Sequence, residues 1–358
     1  MSILAAVGVL AVLICVHELG HFLAARLQGI RVSQFSLGFG PALWSYHGKE
    51  VHYAIRAIPL GGYVGFPDDD PDSGIPSDDP NLLRNRPIGD RALVITAGVL
   101  ANLLFAYFIL TTQVLTVGIP ELVYQPGVRI PQIALDTSKV AQKAGLQAGD
   151  VIVGVDGQPL APGKEAVNRV VKTIQSRPNQ PIRLQIQRQN QVVDVTVIPE
   201  RTADGQGRIG VQLQDNVTVN TRYSRNVIEA LGLGAQEFQR LFTNTLQGYW
   251  ELIQHFQETA NQVAGPVAIV AMGAGLARSS WASLLQFSAL ISINLAVINI
   301  LPLPALDGGQ LVFLAIEALR GRPLPAQVQE GVMQTGLLLL LGLGVFLIIR
   351  DTARLVGL

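Results

Sequence analysis

The chemistry available to this chain begins at His17-Glu18-Leu19-Gly20-His21. On an α-helix, positions i and i+4 lie one turn apart on the same face, so both imidazoles can reach one zinc ion at roughly 2.0–2.1 Å. Glu18 can turn toward a metal-bound water and act as its base. As a bare pattern, His-Glu-x-x-His is common. Its setting here is not: His17, Glu18 and His21 are the only charged or imidazole side chains between Met1 and Arg26, in an otherwise apolar run. Placing such groups in a membrane span costs several kcal/mol unless something compensates them, and a metal does.

A catalytic zinc takes three protein ligands and keeps a position for water. The candidates for the third are His47 and His52 in strand-like sequence, His255 on an amphipathic stretch, and Asp307. Asp307 is the best placed. It follows Asn299-Ile300-Leu301-Pro302-Leu303-Pro304-Ala305-Leu306, where two prolines exclude regular helix, and it precedes Gly308-Gly309, which permit a sharp turn. Cys15 is the single cysteine, which excludes an intramolecular disulfide and a thiolate cluster.

The elements that must position these residues are hydrophobic. The chain has 358 residues, 49% of them hydrophobic and only 15% charged, against roughly 25% charged in soluble domains. Four stretches, about 3–25, 92–117, 281–301 and 332–349, approach the length that crosses a hydrocarbon core of about 30 Å. The first has no basic n-region and no small-residue cleavage site, so it reads as a retained helix. Spans one and three run in the same direction because span two returns the chain. Their C-terminal ends therefore share a side, and His17, His21 and Asp307 can meet at one depth. Arg26, Arg31, Lys49, Arg56, Arg84, Arg86 and Arg91 mark that side as cytoplasmic, although Arg350 and Arg354 pull the other way. The formal net charge is zero, and no basic stripe offers a nucleic-acid surface.

Between spans one and two, Ile30–Phe39 and Glu50–Ile58 read as a β-hairpin within 30–64, joined through Gly40-Pro41 and His47-Gly48-Lys49. The acidic run Asp68-Asp69-Asp70-Pro71-Asp72 reads as a solvated loop. Between spans two and three, Gly149-Asp150 and Asp156-Gly157 bracket a Val/Ile strand. Glu165–Ser176 has helical spacing with Val167, Val170, Val171 and Ile174 on one face. Ile182–Gln187 and Val193–Val197 alternate in period two across Gln189-Asn190. This β-rich insert, over about 124–200, resembles a circularly permuted PDZ domain, which would bind extended peptides by strand addition. Residues 226–262 form an amphipathic helical stretch that suits either a membrane face or core packing.

The expected fold is an α-helical polytopic membrane protein with about four transmembrane helices, a membrane-associated β-hairpin and an inserted β-rich PDZ-like domain. Its parts are a first half-core, 1–123, the PDZ-like domain, 124–200, a helical region, 201–280, and a second half-core, 281–358. The His17-Glu18-x-x-His21 helix, Gly38-Phe39-Gly40, Pro59–Val64, the insert and Asn299–Gly309 together resemble the site-2 protease family, specifically its bacterial regulator-of-sigma-E protease branch. The resemblance spans nearly the whole chain. Many members of that branch have two tandem PDZ domains where this insert has room for one. In the second span Gly98 and Asn102 match the family pattern, while Val99 stands where a proline is common. The resemblance implies zinc held by His17, His21 and Asp307, with Glu18 as catalytic base. It further implies Asn294 and Asn299 as substrate-holding or supporting residues, and hydrolysis within transmembrane segments of single-span membrane proteins in the bacterial inner membrane. A substrate strand can pair at Gly38, Phe39 and Gly40, and a peptide or envelope protein can bind the outward PDZ-like domain. Two rivals differ testably. A binding module with a structural zinc needs a fourth protein ligand, and a transporter needs paired intramembrane charges and internal repeats.

Overall fold

A computed structural model describes residues 2–69, 74–133, 140–189, 191–259 and 263–356. Asp70, Pro71, Asp72 and Asn190 of the sequence reading lie outside them. The chain divides into two compact units, one of residues 1–118 and 223–358, the other Ile119–Arg222.

The first unit opens with helix α1 (Ser2–Leu27) and strands β1 (Gln34–His47) and β2 (His52–Gly65), followed by α2 (Ile88–Thr116). The strands do more than form the expected hairpin. Trp44–His47 folds back on the start of β2 (His47 opposite His52, Trp44 opposite Ile55), which is the hairpin. The first part of β1 also runs parallel to the same β2 segment (Gln34 opposite His52, Leu37 opposite Ile55), and it pairs on its other side with Gly62–Gly65. Two bent strands thus supply four sheet positions. The bend in β1 falls at Gly38 and Gly40, whose φ of 86° and 82° suit glycine. Ile30, Val32, Val51 and Phe35 of this region pack against Ala25 and Phe22 of α1 and Val94 of α2, anchoring the sheet to both helices.

The second unit begins with β3 (Ile119–Arg129), a single helical turn α3 (Val140–Lys143), β4 (Val151–Val155), β5 (Gln158–Pro159) and helix α4 (Lys164–Ser176). It continues with β6 (Ile182–Arg188), β7 (Gln191–Val197), the short pair β8 (Glu200–Arg201) and β9 (Gly207–Arg208), and β10 (Gln214–Arg222). The main sheet has the order β10-β3-β4-β6-β7, with β5 paired to β4. The unit is wider than 124–200 because Gln214–Arg222, expected within the helical region 201–280, pairs antiparallel along β3 from Arg129 to Ile119. Its core contains Val128, Ile152, Ile182, Leu184 and Ile186, each 0% exposed, closed by Ala166, Val170 and Ile174 of α4. Burying each such aliphatic side chain is worth about 1.5–3 kcal/mol.

The first unit resumes with α5 (Val227–Gln254), the short α6 (Phe256–Thr259), α7 (Pro266–Ser279), α8 (Trp281–Ile300), α9 (Asp307–Arg320) and α10 (Ala326–Val356). Among the described residues, four helices (Ser2–Leu27, Ile88–Thr116, Trp281–Ile300 and Ala326–Arg354) are long and apolar enough to cross a bilayer. Helix α7 is apolar but too short to register as a span. Its Gly273 lies against Ala6 of α1 and Phe287 of α8. Ala106, Ile109 and Leu110 of α2 interlock with Ala289, Ile293 and Val297 of α8, and Leu241, Phe238 and Phe242 of α5 complete this core. The amphipathic stretch is therefore largely a packing element, while Trp250, Ile253 and Phe256 stay more than 60% exposed.

Candidate metal centre

His17 and His21 sit one turn apart on α1, and Gly20 between them lets α2 approach closely, since a Cβ there would lie 2.4 Å from the Ala97 carbonyl oxygen. Asp307 is the first residue of α9, reached through the Pro302/Pro304 segment. The structure departs here from the expected sharp turn. Gly308 and Gly309 start the helix, and the left-handed residue is Ala305, at φ 66°. What the glycines supply is closeness. A Cβ at Gly308 would lie 2.2 Å from the Leu301 carbonyl oxygen, and one at Gly309 would lie 2.4 Å from that of Leu303. The loop therefore folds tightly onto the helix start and delivers Asp307 to α1.

The three donor atoms form a nearly equilateral triangle. His17 Nε2 is 3.2 Å from His21 Nε2, and Asp307 Oδ2 is 3.3 Å from the first and 3.4 Å from the second. For a tetrahedral ion with bonds of roughly 2.0–2.1 Å, donors stand about 3.3–3.4 Å apart. The set thus fits one zinc with a fourth position left open. Asp307 Oδ2 is buried and accepts no hydrogen bond, which leaves its lone pairs available. These are the only three His, Cys, Asp or Glu residues among the described ones whose ligand atoms converge in this way.

Helix α2 finishes the surroundings. His21 Nδ1 lies 2.8 Å from the Val94 carbonyl oxygen, so this nitrogen carries the proton and Nε2 faces the site with a free lone pair. Gly98 lies beneath both rings, and a Cβ there would stand 2.3 Å from His21 Nε2 and 2.8 Å from His17 Cε1. The centre opens into a cleft of about 530 Å³ lined by, among others, Glu18, Phe39, Gly62, Tyr63, Asn299 and Gln310. Glu18 is only 8% exposed. Strand β2 passes so near it that a Cβ on Gly62 would be 2.8 Å from Glu18 Cγ.

A polarisable centre open on one side, with a carboxylate beside it, is a hydrolytic arrangement. The model of peptidase family M50 matches residues 5–343. The chain belongs to that family. A protein of Nostoc sp. (strain PCC 7120), named among zinc metalloproteases, is 57% identical over 355 residues, covering 99% of this chain and 97% of its own. The chloroplastic membrane metalloprotease ARASP of Arabidopsis thaliana is 49% identical over 356 residues, 99% of this chain and 79% of that one. The regulator of sigma-E protease RseP of Escherichia coli (strain K12) is 32% identical over 450 aligned positions, 97% of each chain. Because this chain has 358 residues, at least 92 of those positions (450 less 358) have no counterpart here. Among solved structures, the PDZ domain of the SdrC-like protein of Listeria innocua covers 25% of this chain and 93% of its own at 20% identity. Its TM-score of 0.21 is too low to assign the insert's fold.

This M50 protein is a zinc metalloprotease with several membrane-spanning helices. Within it the remaining sequence candidates separate. Asn299 Nδ2 is 3.2 Å from His17 Nε2, at the cleft. Phe39 lines the cleft, whereas Gly38 and Gly40 do not line it and only bend the strand that carries Phe39. Asn294 is elsewhere: its Oδ1 accepts from Tyr249 of α5 at 3.1 Å and its Nδ2 donates to the Leu290 carbonyl at 2.8 Å. That pattern is interhelical. His47 and His52 stack on each other with ring centroids 4.0 Å apart, and His255 caps the end of α5. Sequence reasoning gave no role to Val94, and it noted Gly98 and Asn102 only as second-span positions that match the family pattern. A glycine one turn before an asparagine in an apolar span was the available signal for Gly98, whereas a backbone carbonyl leaves none.

Proposed function

We propose that this M50 protease hydrolyses peptide bonds in the transmembrane segments of single-span membrane proteins, with zinc bound by His17, His21 and Asp307 and Glu18 as the base. The observation that carries the reading is the 3.2–3.4 Å donor triangle opening beside buried Glu18 between apolar helices. Zinc, when bound, supplies Lewis acidity that acidifies water and polarises a carbonyl. Glu18 accepts the attacking water's proton and returns it to the leaving amine. His21, fixed by Val94, keeps its Nε2 aimed at the centre. Asn299 donates to the substrate's carbonyl side of the cleft. A helical substrate hides its amides, so it must unwind first; the β1 bend at Gly38-Phe39-Gly40 offers an edge against which the extended chain can pair.

The protease core is then 1–118 with 223–358, interrupted by the PDZ-like unit at 119–222. The basic residues of the 26–91 loop favour an active site toward the cytoplasm of a bacterial inner membrane and an outward insert that engages a peptide or envelope protein. Reconstitution with a single-span substrate tests the mechanism. Glu18→Gln should retain zinc and lose cleavage by about 10²–10⁴-fold, and a chelator should stop the parent enzyme. A fully active Glu18→Gln protein would sink the assignment.

A further inference from the structure

Helix α2 meets the metal centre at three residues and the helix carrying Asp307 at a fourth, all along one stripe. Arg91, Val94, Gly98 and Asn102 are spaced by three, four and four residues, so at about 100° per residue they share a face over three turns. Each addresses a different part of the ligand set. The Val94 carbonyl takes the His21 Nδ1 proton, and Gly98 makes room for both rings. Asn102 is 0% exposed. Its Nδ2 is 3.5 Å from His17 Nδ1, and its Oδ1 is buried without a hydrogen-bond partner. An imidazole that gives Nε2 to a metal carries its proton on Nδ1 and needs an acceptor. The oxygen and nitrogen of a carboxamide are nearly equal in shape, so a half-turn of the Asn102 amide puts Oδ1 where that proton points. At the far end of the stripe, Arg91 grips Glu317 with both terminal nitrogens, Nη1 at 3.0 Å from Oε2 and Nη2 on Oε1. The pair is 15% and 14% exposed, and Glu317 lies on α9, the helix whose first residue is Asp307.

We propose that this stripe is the outer shell of the metal centre, with Asn102 as the positioning residue for His17 and the Arg91–Glu317 pair as the positioning clamp for the helix that carries Asp307. The proposal rests on the ligand reading above. It explains why a helix supplying no ligand holds polar groups aimed at both histidines and at the helix that carries the third ligand. A bidentate guanidinium fixes both position and rotation of α9, which a single lysine contact would not. Helix geometry brings the two α1 ligands to one face and leaves only their ring orientation to α2, whereas Asp307 arrives on a separate element and needs that element held in place.

The test is zinc retention by the full-length protein in detergent, read as the rate of zinc loss to a chromogenic chelator, beside thermal stability. Asn102→Leu and Arg91→Ala should each speed zinc loss by about 10–100-fold. Asn102→Asp, which keeps an acceptor, and the exchanged pair Arg91→Glu with Glu317→Arg should recover most of it. Asp351→Asn is the structural control, because Asp351 is 3% exposed and accepts from the Ala268 amide at 3.0 Å, tying α10 to α7 away from the stripe. It should lower thermal stability without speeding zinc loss. Parental rates in Asn102→Leu and Arg91→Ala, or zinc loss in Asp351→Asn that rises in step with its lost thermal stability, overturn the proposal alone. Zinc retained by Asp307→Ala overturns the ligand reading and the proposal with it.

Discussion

Two carboxylates with buried oxygens, Asp150 in the β-rich unit and the half-buried Asp307 in the helical one, face opposite fates. Asp150 Oδ1 accepts from Arg188 Nε at 2.8 Å, and Oδ2 accepts from Arg188 Nη2 and the Gln147 amide, each at 2.8 Å. Asp307 Oδ2 accepts nothing and looks at two imidazole nitrogens. A buried acceptor without a donor costs about 1–3 kcal/mol, more when charged, so folds saturate such groups unless something else will. Burial is common to both sites. What separates a structural carboxylate from a ligand is whether the chain closes its lone pairs.

Asp307→Ala presses hardest on that contrast. Losing a ligand should strip zinc and forfeit several kcal/mol of transition-state stabilisation, which at 1.36 kcal/mol per tenfold is on the order of 10³-fold in cleavage. Metal analysis of the purified protein beside a cleavage assay checks both parts. Asp150→Ala should leave zinc stoichiometric, and equal metal loss in both variants would erase the distinction.

A smaller effect probes the base. In Gly62→Ala the new methyl must displace either Glu18 Cγ, 2.8 Å from it, or the Ser36 carbonyl oxygen, 2.9 Å away. Shifting a catalytic group by about 1 Å costs on the order of 10²-fold. Cleavage should therefore fall by about 10–100-fold in kcat while zinc stays bound. Unchanged kcat would show that β2 does not hold Glu18 in place.

The helical spacing of His17 and His21 and the chain-direction argument for Asp307 are legible in sequence because charge inside an apolar run stands out against its surroundings. The β6–β7 alternation is legible for a related reason, since one face of that hairpin is core and the other solvent. The doubled pairing of β1 and β2 is not legible, because a bent strand that pairs on two edges shows the same local pattern as a plain hairpin. Tyr249 and Asn294 lie 45 residues apart, and their hydrogen bond decides that Asn294 faces α5 rather than the cleft. No local pattern encodes that choice. Strand β10 corrects the expected helical region 201–280: Val217-Thr218-Val219 is β-prone, but its place beside β3 is fixed by a pairing about 90 residues away in sequence.

The smallest expected effect belongs to the closed carboxylate and concerns stability alone. Burial pushes the Asp150 carboxyl up, but the Arg188 guanidinium and the Gln147 amide outweigh it and hold it below the ordinary carboxylate range. A depressed folded value means that the contribution is complete above the unfolded aspartate value, about 3.9, and fades as pH falls through the folded one. Removing one partner of a fully buried pair costs about 3–5 kcal/mol. Arg188 is 28% exposed and water recovers part of that loss, so Asp150→Asn should cost about 2–3 kcal/mol. Hydrogen exchange on the full-length protein, corrected for intrinsic rates, reads this at the amides of β4 and β6. Protection there should be lower in Asp150→Asn than in the parent at pH 7, and the two should converge only below about pH 4. Convergence already near pH 6 would mean that the pair is a surface contact of little weight. The comparison with Asp307 would then rest on exposure rather than on closure of the lone pairs.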